Sequence, residues 1–330
     1  MLYAADFLAR LEAGLRSNLP AWGLPGDAPV RLLTISENAT YLVDAPGGGH
    51  RIFRVHRPGY HSRDEILSEL AWIGALRDGA VVETPRPVPG LDGALLQAFD
   101  DGTTERVAVC FEHVPGREPD AESDLPRWFR HLGAITARLH GHARSFALPD
   151  GFTRKRWSFD TIIGPAAHWG DWRAAQGLSA EDRAILERTA RILHSKTEAY
   201  GCDPDRFGLI HCDMRAANLL VEGDRMSVID FDDCGFGWFG YDFAASVSFI
   251  EHEPILPALR EAWVEGYRSV APLDPETEAA LPMFVMLRRM QLTAWLASHS
   301  ETPTAEALLP GYNAGTVALA RAWLEKEEAR

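Results

Sequence analysis

The sequence has no surplus of positive charge. Its 33 lysines and arginines stand against 47 aspartates and glutamates, a formal net charge of −14, so it lacks the basic face of a nucleic-acid binder. An acidic balance suits a cationic or amine-bearing small ligand, and it serves plain solubility equally well. Long apolar runs are also missing. None approaches the roughly 18 residues that a membrane-spanning helix needs, so no membrane partner is expected. The opening stretch, MLYAADFLARLEAGLRSNLP, carries Asp6, Arg10 and Glu12 at helical spacing, which breaks the apolar core that a signal peptide requires. Cysteine is scarce and unpatterned: Cys110, Cys202, Cys212 and Cys234 show no CxxC spacing. Neither a zinc site nor a disulfide scaffold is indicated, and buried or half-buried free thiols in a reducing cytoplasm are expected. There is no internal repeat, no low-complexity linker and no G-x-x-x-x-G-K-[ST] phosphate loop.

What is present fits an ordinary globular chain, with 46% hydrophobic and 24% charged residues over a length of 330 that accommodates two domains. The first third is strand-rich. RLLTIS, ATYLVDA and HRIFRVH are short β-prone runs, the last two joined by a glycine turn at 47–49. SRDEILSELAWIGALRDG then places Ile66, Leu67, Leu70, Ile73 and Leu76 on one helical face, with Ser62 set to cap it. PRPVPG breaks the chain, and GALLQAF and RVAVCFEHV follow as two more strands. The economical assembly is a five-stranded antiparallel sheet with one helix inserted after the third strand. From PGREPD onward the composition changes. Segments 125–143, 181–200, 255–270, 276–299 and 303–328 read as amphipathic helices, interrupted by short strands around 207–230. The expected division is 1–112 and 113–330, with a short hinge near 112–118.

The chemistry concentrates in two strings, HCDMRAANLL and SVIDFDDCGFG. Asp213 and Asn218 sit five apart in a loop between apolar runs. If MSVID pairs back on NLLVEG as a hairpin, Asp230 joins them. Carboxylates beside buried strands are costly unless something uses them, and phosphoryl transfer uses this set. One carboxylate accepts the proton of an attacking hydroxyl, while an amide oxygen and a second carboxylate hold Mg²⁺ on the phosphates. The protein-kinase pattern H-R-D, then Asn, then D-F-G has the same spacing from Asp to Asn. Here it reads HCDMRAAN and DFD.

On these residues the chain resembles the aminoglycoside phosphotransferase and choline kinase superfamily, the small-molecule branch of the kinase fold. FRVHRPGYHSRDEILSEL is most similar to homoserine kinase-like and bacterial stress-response kinase-like proteins. The resemblance is strongest at 36–76, 110–117 and 209–244. It implies an α+β, bilobal protein-kinase-like fold: an N-lobe of antiparallel sheet plus helix over 1–112, and a larger, mainly helical C-lobe over 113–330. It also implies ATP and Mg²⁺ as cofactors, Asp213 as catalytic base, and Asn218 and Asp230 as metal ligands. Glu69 matches the N-lobe helix glutamate, and the backbones of Glu112 and Val114 match the adenine-binding hinge. The strand lysine of the family falls on Arg54, which is always charged and grips phosphate bidentately but differs in reach. Arg215 stands where protein kinases carry a lysine near the γ-phosphate; it assists transfer or is a surface cation. SENATY would cover the ATP, with Asn38 and Thr40 donating to phosphate oxygens or simply serving turn and strand.

Other residues keep two readings. His211 orders the loop or acts as a base; Asp232 approaches a second metal or caps the next turn. Asp242 matches an acid that supports the catalytic loop. GFGWFG satisfies G-x-G-x-x-G, but helix and EPILP are read around Glu251 and Glu253 in place of the second strand a dinucleotide fold needs. Only a short stretch separates DFD from YDFAA, leaving no room for a long activation segment, so a small-molecule alcohol is the expected acceptor. DWRAAQG and MLRRMQL are candidate walls for it, and Trp169, Trp172, Trp238 and Trp295 are stacking partners or core. A stress-response Ser/Thr protein kinase and a nucleotide-binding pseudokinase are the alternatives. The identity of the acceptor and the oligomeric state are not written in these residues.

Overall fold

The computed structural model describes residues 5–36, 38–119, 124–300 and 302–329. Residues 1–4 of the opening stretch, Glu37 of the expected ATP cover and Asp120 of PGREPD lie outside the described residues. The chain forms two compact units. One comprises Met1–Gly116, Ala147–Arg154 and Leu220–Asp232; the other comprises Arg117–Phe146, Lys155–Leu219 and Asp233–Arg330.

The first unit begins with α1 (Ala5–Asn18), followed by β1 (Val30–Ile35), β2 (Ala39–Ala45) and β3 (Gly49–Val55). Then come α2 (Arg63–Asp78), β4 (Pro87–Val88), β5 (Leu96–Asp100) and β6 (Glu105–Glu112). All pairings in this sheet are antiparallel; β1, β2, β3 and β6 run in that order, and β4 and β5 both pair with β6. The sheet therefore has six strands where five were expected. The extra one is the two-residue β4, drawn from a proline-rich stretch that reads as a break because Pro87 has no N–H to give a ladder.

Alternation along the strands sorts the faces. Tyr41, Val43, Phe53, Val55, Ala108 and Cys110 share a core with Leu11, Leu15, Leu19 and Trp22. Arg54 and His56 consequently project to the opposite side from Phe53 and Val55. Helix α2 starts where Ser62 predicts, with a capping box in which Ser62 Oγ accepts from Glu65 N–H and Glu65 accepts from Ser62 N–H. It buries Ile66, Leu70, Ile73 and Leu76, together with Trp72 and Glu69. Leu67, expected on the same face, is 42% exposed instead, while the face turns far enough to bury Glu69. The later stretch of this unit pairs β9 (Leu219–Glu222) with β10 (Arg225–Val228), the hairpin on which the Asp230 expectation depended.

In the second unit α3 (Leu125–Ser145), β7 (Arg156–Trp157), α4 (Phe159–Ile162), α5 (Ala180–Tyr200) and β8 (Phe207–Ile210) precede the hairpin. After it come β11 (Gly235–Trp238), α6 (Tyr241–Ser246), α7 (Leu256–Arg268), α8 (Pro275–Ser298) and α9 (Pro303–Glu328), which kinks at Pro310 and Gly311. Strand β11 lies between β7 and β8, parallel to the first and antiparallel to the second. GFGWFG is thus largely a strand in a small sheet. Gly235 is needed there because a Cβ would come within 2.4 Å of the Lys155 carbonyl. Residues 251–255 form turns, not the helix expected around Glu251. Trp169, Trp172, Trp238 and Trp295 are all core. Cys110, Cys212 and Cys234 are buried free thiols, but Cys202, expected to be at least half-buried, is exposed just beyond the end of α5.

Helices α3 and α7 cross at backbone contact. A Cβ on Gly266 would lie 1.9 Å from the Arg130 carbonyl oxygen, and one on Gly133 would lie 2.0 Å from that of Trp263. Neither obstacle is a side chain that can swing away. Gly266→Ala is therefore expected to force the helices apart and destabilise the chain by about 3 kcal/mol or more, at or beyond the upper end of ordinary overpacking. Urea unfolding checks this; an unchanged midpoint would mean the crossing is looser than described.

Candidate active site

Strand β8 ends at Ile210 and delivers the loop that carries Asp213. His211 is fully buried, and its Nδ1 accepts from the Asp213 N–H at 3.2 Å. Cys212 has φ of 71°, a left-handed backbone that is unusual for a residue other than glycine. Such strain, of about 1–3 kcal/mol, persists only where surroundings impose it. Asp242, buried in the first turn of α6, imposes it here. Its Oδ1 accepts from Cys212 N–H at 2.7 Å, and its Oδ2 accepts from His211 N–H at 3.3 Å and faces His140 Nε2 at 3.1 Å. Burial lowers the His140 pKa, so the imidazole is neutral and donates to Asp242 through Nε2–H.

Asp213 is held from both sides. Its Oδ2 accepts from Asn218 Nδ2 at 2.8 Å and from Arg215 Nε at 3.3 Å; its Oδ1 accepts from Arg288 Nη2 at 2.6 Å. Burial alone would raise its pKa, but Arg215, Arg288 and His211 hold it below the usual carboxylate value. Asn218 spends Nδ2 twice on Asp213, on the side chain and on the carbonyl oxygen at 2.8 Å. That orientation leaves the amide Oδ1 as an acceptor, the role a cation requires of it.

A second cluster lies within the first unit. Arg54, only 5% exposed, donates from Nη2 to Glu69 Oε2 at 2.6 Å and from Nη1 to Asp230 Oδ1 at 3.4 Å, and approaches Asp232 Oδ1 at 3.7 Å. Burial alone would lower the Arg54 pKa; Glu69, Asp232 and Asp230 raise it above its ordinary value. Asp230 has φ of 63° and a side chain 47% exposed, whereas Asp232 is buried between Arg54, His56 and His61. Burial would raise the Asp232 pKa, yet Arg54 and the two histidines hold it well below the usual carboxylate value.

Asn38 donates to Asp232 Oδ2 at 2.7 Å and accepts from Arg57 N–H at 3.2 Å, so its amide is engaged inside the unit. Thr40 stands opposite Arg54 in the β2–β3 register. Glu112 closes β6 with its N–H on the Arg86 carbonyl at 2.9 Å, and Val114 follows, half-buried, outside any helix or strand. The structure thus brings Asp213, Arg215 and Asn218 together in one unit, and Arg54, Glu69, Asp230 and Asn38 together in the other. Sequence reasoning missed Arg288, His56, His61 and the buried Arg289–Glu251 pair, 2.9 Å apart. The signal for the arginines was MLRRMQL itself: two charges inside an apolar helical run must be paired if the helix is buried.

The donor set fits Mg²⁺ with nucleotide phosphates better than a closed protein cage. Among the described residues no group of three or more His, Cys, Asp or Glu side chains could hold a metal ion alone. Magnesium normally takes one or two carboxylates and completes its shell with water and phosphate. Asp230, accessible in the first unit, and Asn218 in the second, its amide oxygen oriented as an acceptor, are each a ligand type of that habit.

The family model described as the phosphotransferase enzyme family (APH) matches residues 31–281. The chain belongs to that family. A solved microcompartment-associated aminopropanol kinase is 45% identical and superimposes with a TM-score of 0.88, covering 96% of this chain and 98% of that one. An amicoumacin kinase solved with AMP-PNP, Ca2+ and Ami shares the fold, with a TM-score of 0.77 at 21% identity over 92% of each chain. Homoserine kinase of Hyphomonas neptunium (strain ATCC 15444) is 29% identical over 246 residues, 68% of this chain and 69% of that protein. This phosphotransferase is an ATP-dependent small-molecule kinase with an alcohol group as acceptor, on an α+β, kinase-like fold. No helix among its described residues is long and apolar enough to cross a membrane.

The histidine next to Arg54 supplies a pH test of the phosphotransferase. Neither ring nitrogen of His56 has a hydrogen-bond partner among the described residues. Burial, then the charge of Arg54, push its pKa down to about 3. An unfolded chain binds this proton near pH 6.5, so between about 6.5 and 3 the unfolded state holds the extra proton. Stability is therefore full above about pH 6.5 and falls as the pH drops, by about 1.4 kcal/mol per unit. His56→Gln should remove that slope from urea unfolding measured between pH 6.5 and 4.5. Equal slopes in both proteins would show that His56 does not titrate there.

Proposed function

We propose that the acceptor is a short amino alcohol of the aminopropanol kind. The observation that carries this is the 45% identity, sustained over 96% of the chain, to a kinase of that substrate. Asp213 is the base: it takes the proton of the acceptor hydroxyl as that oxygen bonds to the γ-phosphorus, and the bond to the β-phosphate oxygen breaks to leave ADP. Asn218 and Asp230 would hold Mg²⁺, which would supply positive charge to offset that of the phosphates. Arg54, fixed by Glu69, serves the α/β-phosphates, and Arg215 assists at the γ-phosphate. The backbones of Glu112 and Val114 receive the adenine, and Asn38 and Thr40 lie on the phosphate cover. The enzyme works in the cytoplasm.

A panel assay tests the acceptor. Mg·ATP and the purified chain are combined with aminopropanol, ethanolamine, homoserine, choline or an amino sugar, and ADP release is followed. Aminopropanol is expected to give a kcat/KM at least about 10-fold above homoserine, the scale on which one or two groups in a pocket discriminate. A preference for homoserine would overturn the amino-alcohol reading in favour of the substrate of the Hyphomonas relative. In titration calorimetry, Asp230→Ala and Asn218→Ala should weaken Mg·ATP binding while both variants stay folded, the second with a lower melting temperature because buried Asn218 gives two hydrogen bonds to Asp213. Unchanged affinity in the Asp230 variant would remove it from the metal site.

A further inference from the structure

Arg288 lies on α8, 75 residues from Asp213 in sequence and only 1% exposed. A charged guanidinium so deep is tolerated only when each edge is paired. Its Nε donates to Ser248 Oγ at 3.0 Å; Nη1 donates to Gln291 Oε1 at 3.1 Å and to the Cys212 carbonyl at 3.5 Å. Its Nη2 is left for Asp213 Oδ1, at 2.6 Å, and the guanidinium carbon sits 4.9 Å from the centre of the Trp169 ring. Gln291 is itself fixed, because Tyr241 donates to the same Oε1. A planar fork tied once at Nε and twice at Nη1 cannot swivel, so Nη2 points in a set direction.

The two oxygens of Asp213 are unequal. Oδ2 receives two donors, Asn218 and Arg215. Oδ1 receives Arg288 alone among the described residues. A carboxylate oxygen offers about two acceptor positions, so Oδ2 is filled and Oδ1 keeps one. We infer that Arg288 is a positioning residue that fixes the Asp213 carboxylate so that Oδ1, not Oδ2, receives the proton of the acceptor hydroxyl. The inference rests on the reading of Asp213 as the base. Arg288 touches neither nucleotide nor acceptor in this scheme; it acts through Asp213, and misplacement by an ångström is enough to cost about 10²-fold.

The test is a double-mutant cycle on the full chain with Mg·ATP and the best acceptor of the panel. Arg288→Met keeps the unbranched stem of the side chain and removes the fork; it is expected to leave Mg·ATP affinity within about 3-fold and to lower kcat by about 10²-fold. Arg288→Lys restores charge without the planar fork and should recover only part of the loss. In the Asp213→Asn background, Arg288→Met should cost nothing more, because its only route to the chemistry is gone. Wild-type kcat in Arg288→Met, or the same fold-loss in both backgrounds, would overturn the inference while leaving Asp213 as base. Wild-type turnover in Asp213→Asn would instead overturn the base reading itself. If Arg288→Met does not fold, Ser248→Ala takes its place in the cycle, since it loosens only the Nε anchor. It should lower kcat several-fold at unchanged acceptor KM, and an unaltered kcat would count against the inference.

Discussion

Asp213→Asn is expected to fold, to bind Mg·ATP as the parent does, and to lose phosphoryl transfer by about 10²-fold or more. The substitution keeps the shape of the side chain and removes its ability to take a proton. Its surroundings favour the carboxylate: Arg288 and Arg215 both donate to it, and they hold its pKa below the ordinary value. In the variant the amide NH₂ must face one of those cations, so some loss of stability accompanies the loss of rate. Titration calorimetry with Mg·ATP separates the two effects. Near-normal nucleotide affinity with collapsed turnover is the expected pair of results. Turnover at the parental rate would mean that another group, or none, accepts the proton.

The second large effect concerns Arg54 and Glu69. Glu69 is fully buried and Arg54 nearly so, at a separation of 2.6 Å. Glu69→Ala leaves the guanidinium in the interior with a missing partner. Breaking such a pair costs about 3–5 kcal/mol, and the lower end applies here because Asp230 and Asp232 still face Arg54. Turnover should fall as well, since the freed guanidinium is drawn toward Asp230. Arg54→Ala alone, and the double variant, complete the cycle. A coupling of at least about 1 kcal/mol is expected for a pair in contact. Strictly additive losses, in melting and in turnover, would mean the two side chains do not act together.

Much of this arrangement was legible in the sequence, for reasons that are local. ATYLVDA alternates and becomes β2; Ser62 and Glu65 stand three apart and form the capping box that starts α2. Asp213 and Asn218 are close in sequence and meet in space. Arg54, taken from the resemblance as the stand-in for a lysine, does meet Glu69. What stayed illegible depends on partners distant along the chain. Arg288 meets Asp213 across 75 positions, and His56 meets Asp232, which no periodicity encodes. Leu67 failed for the opposite reason: the pattern was followed, but the helix turned its buried face toward the ion pair instead. The strand β4 was hidden because its proline argued, correctly, against a central strand and said nothing about a two-residue edge.

The arginine at position 54 also has a consequence for how the enzyme can be labelled. Lys155, Lys196 and Lys326 all belong to the second unit, so the first unit contains no lysine. A nucleotide analogue that marks kinases by acylating the amine beside the phosphates has no such amine to react with there. A guanidinium stays protonated at any usable pH and is a poor nucleophile, and this one is shielded by three carboxylates. Probes directed at the strand amine should therefore find none to acylate at position 54, and a silent signal from such a probe is not a sign of an inactive enzyme.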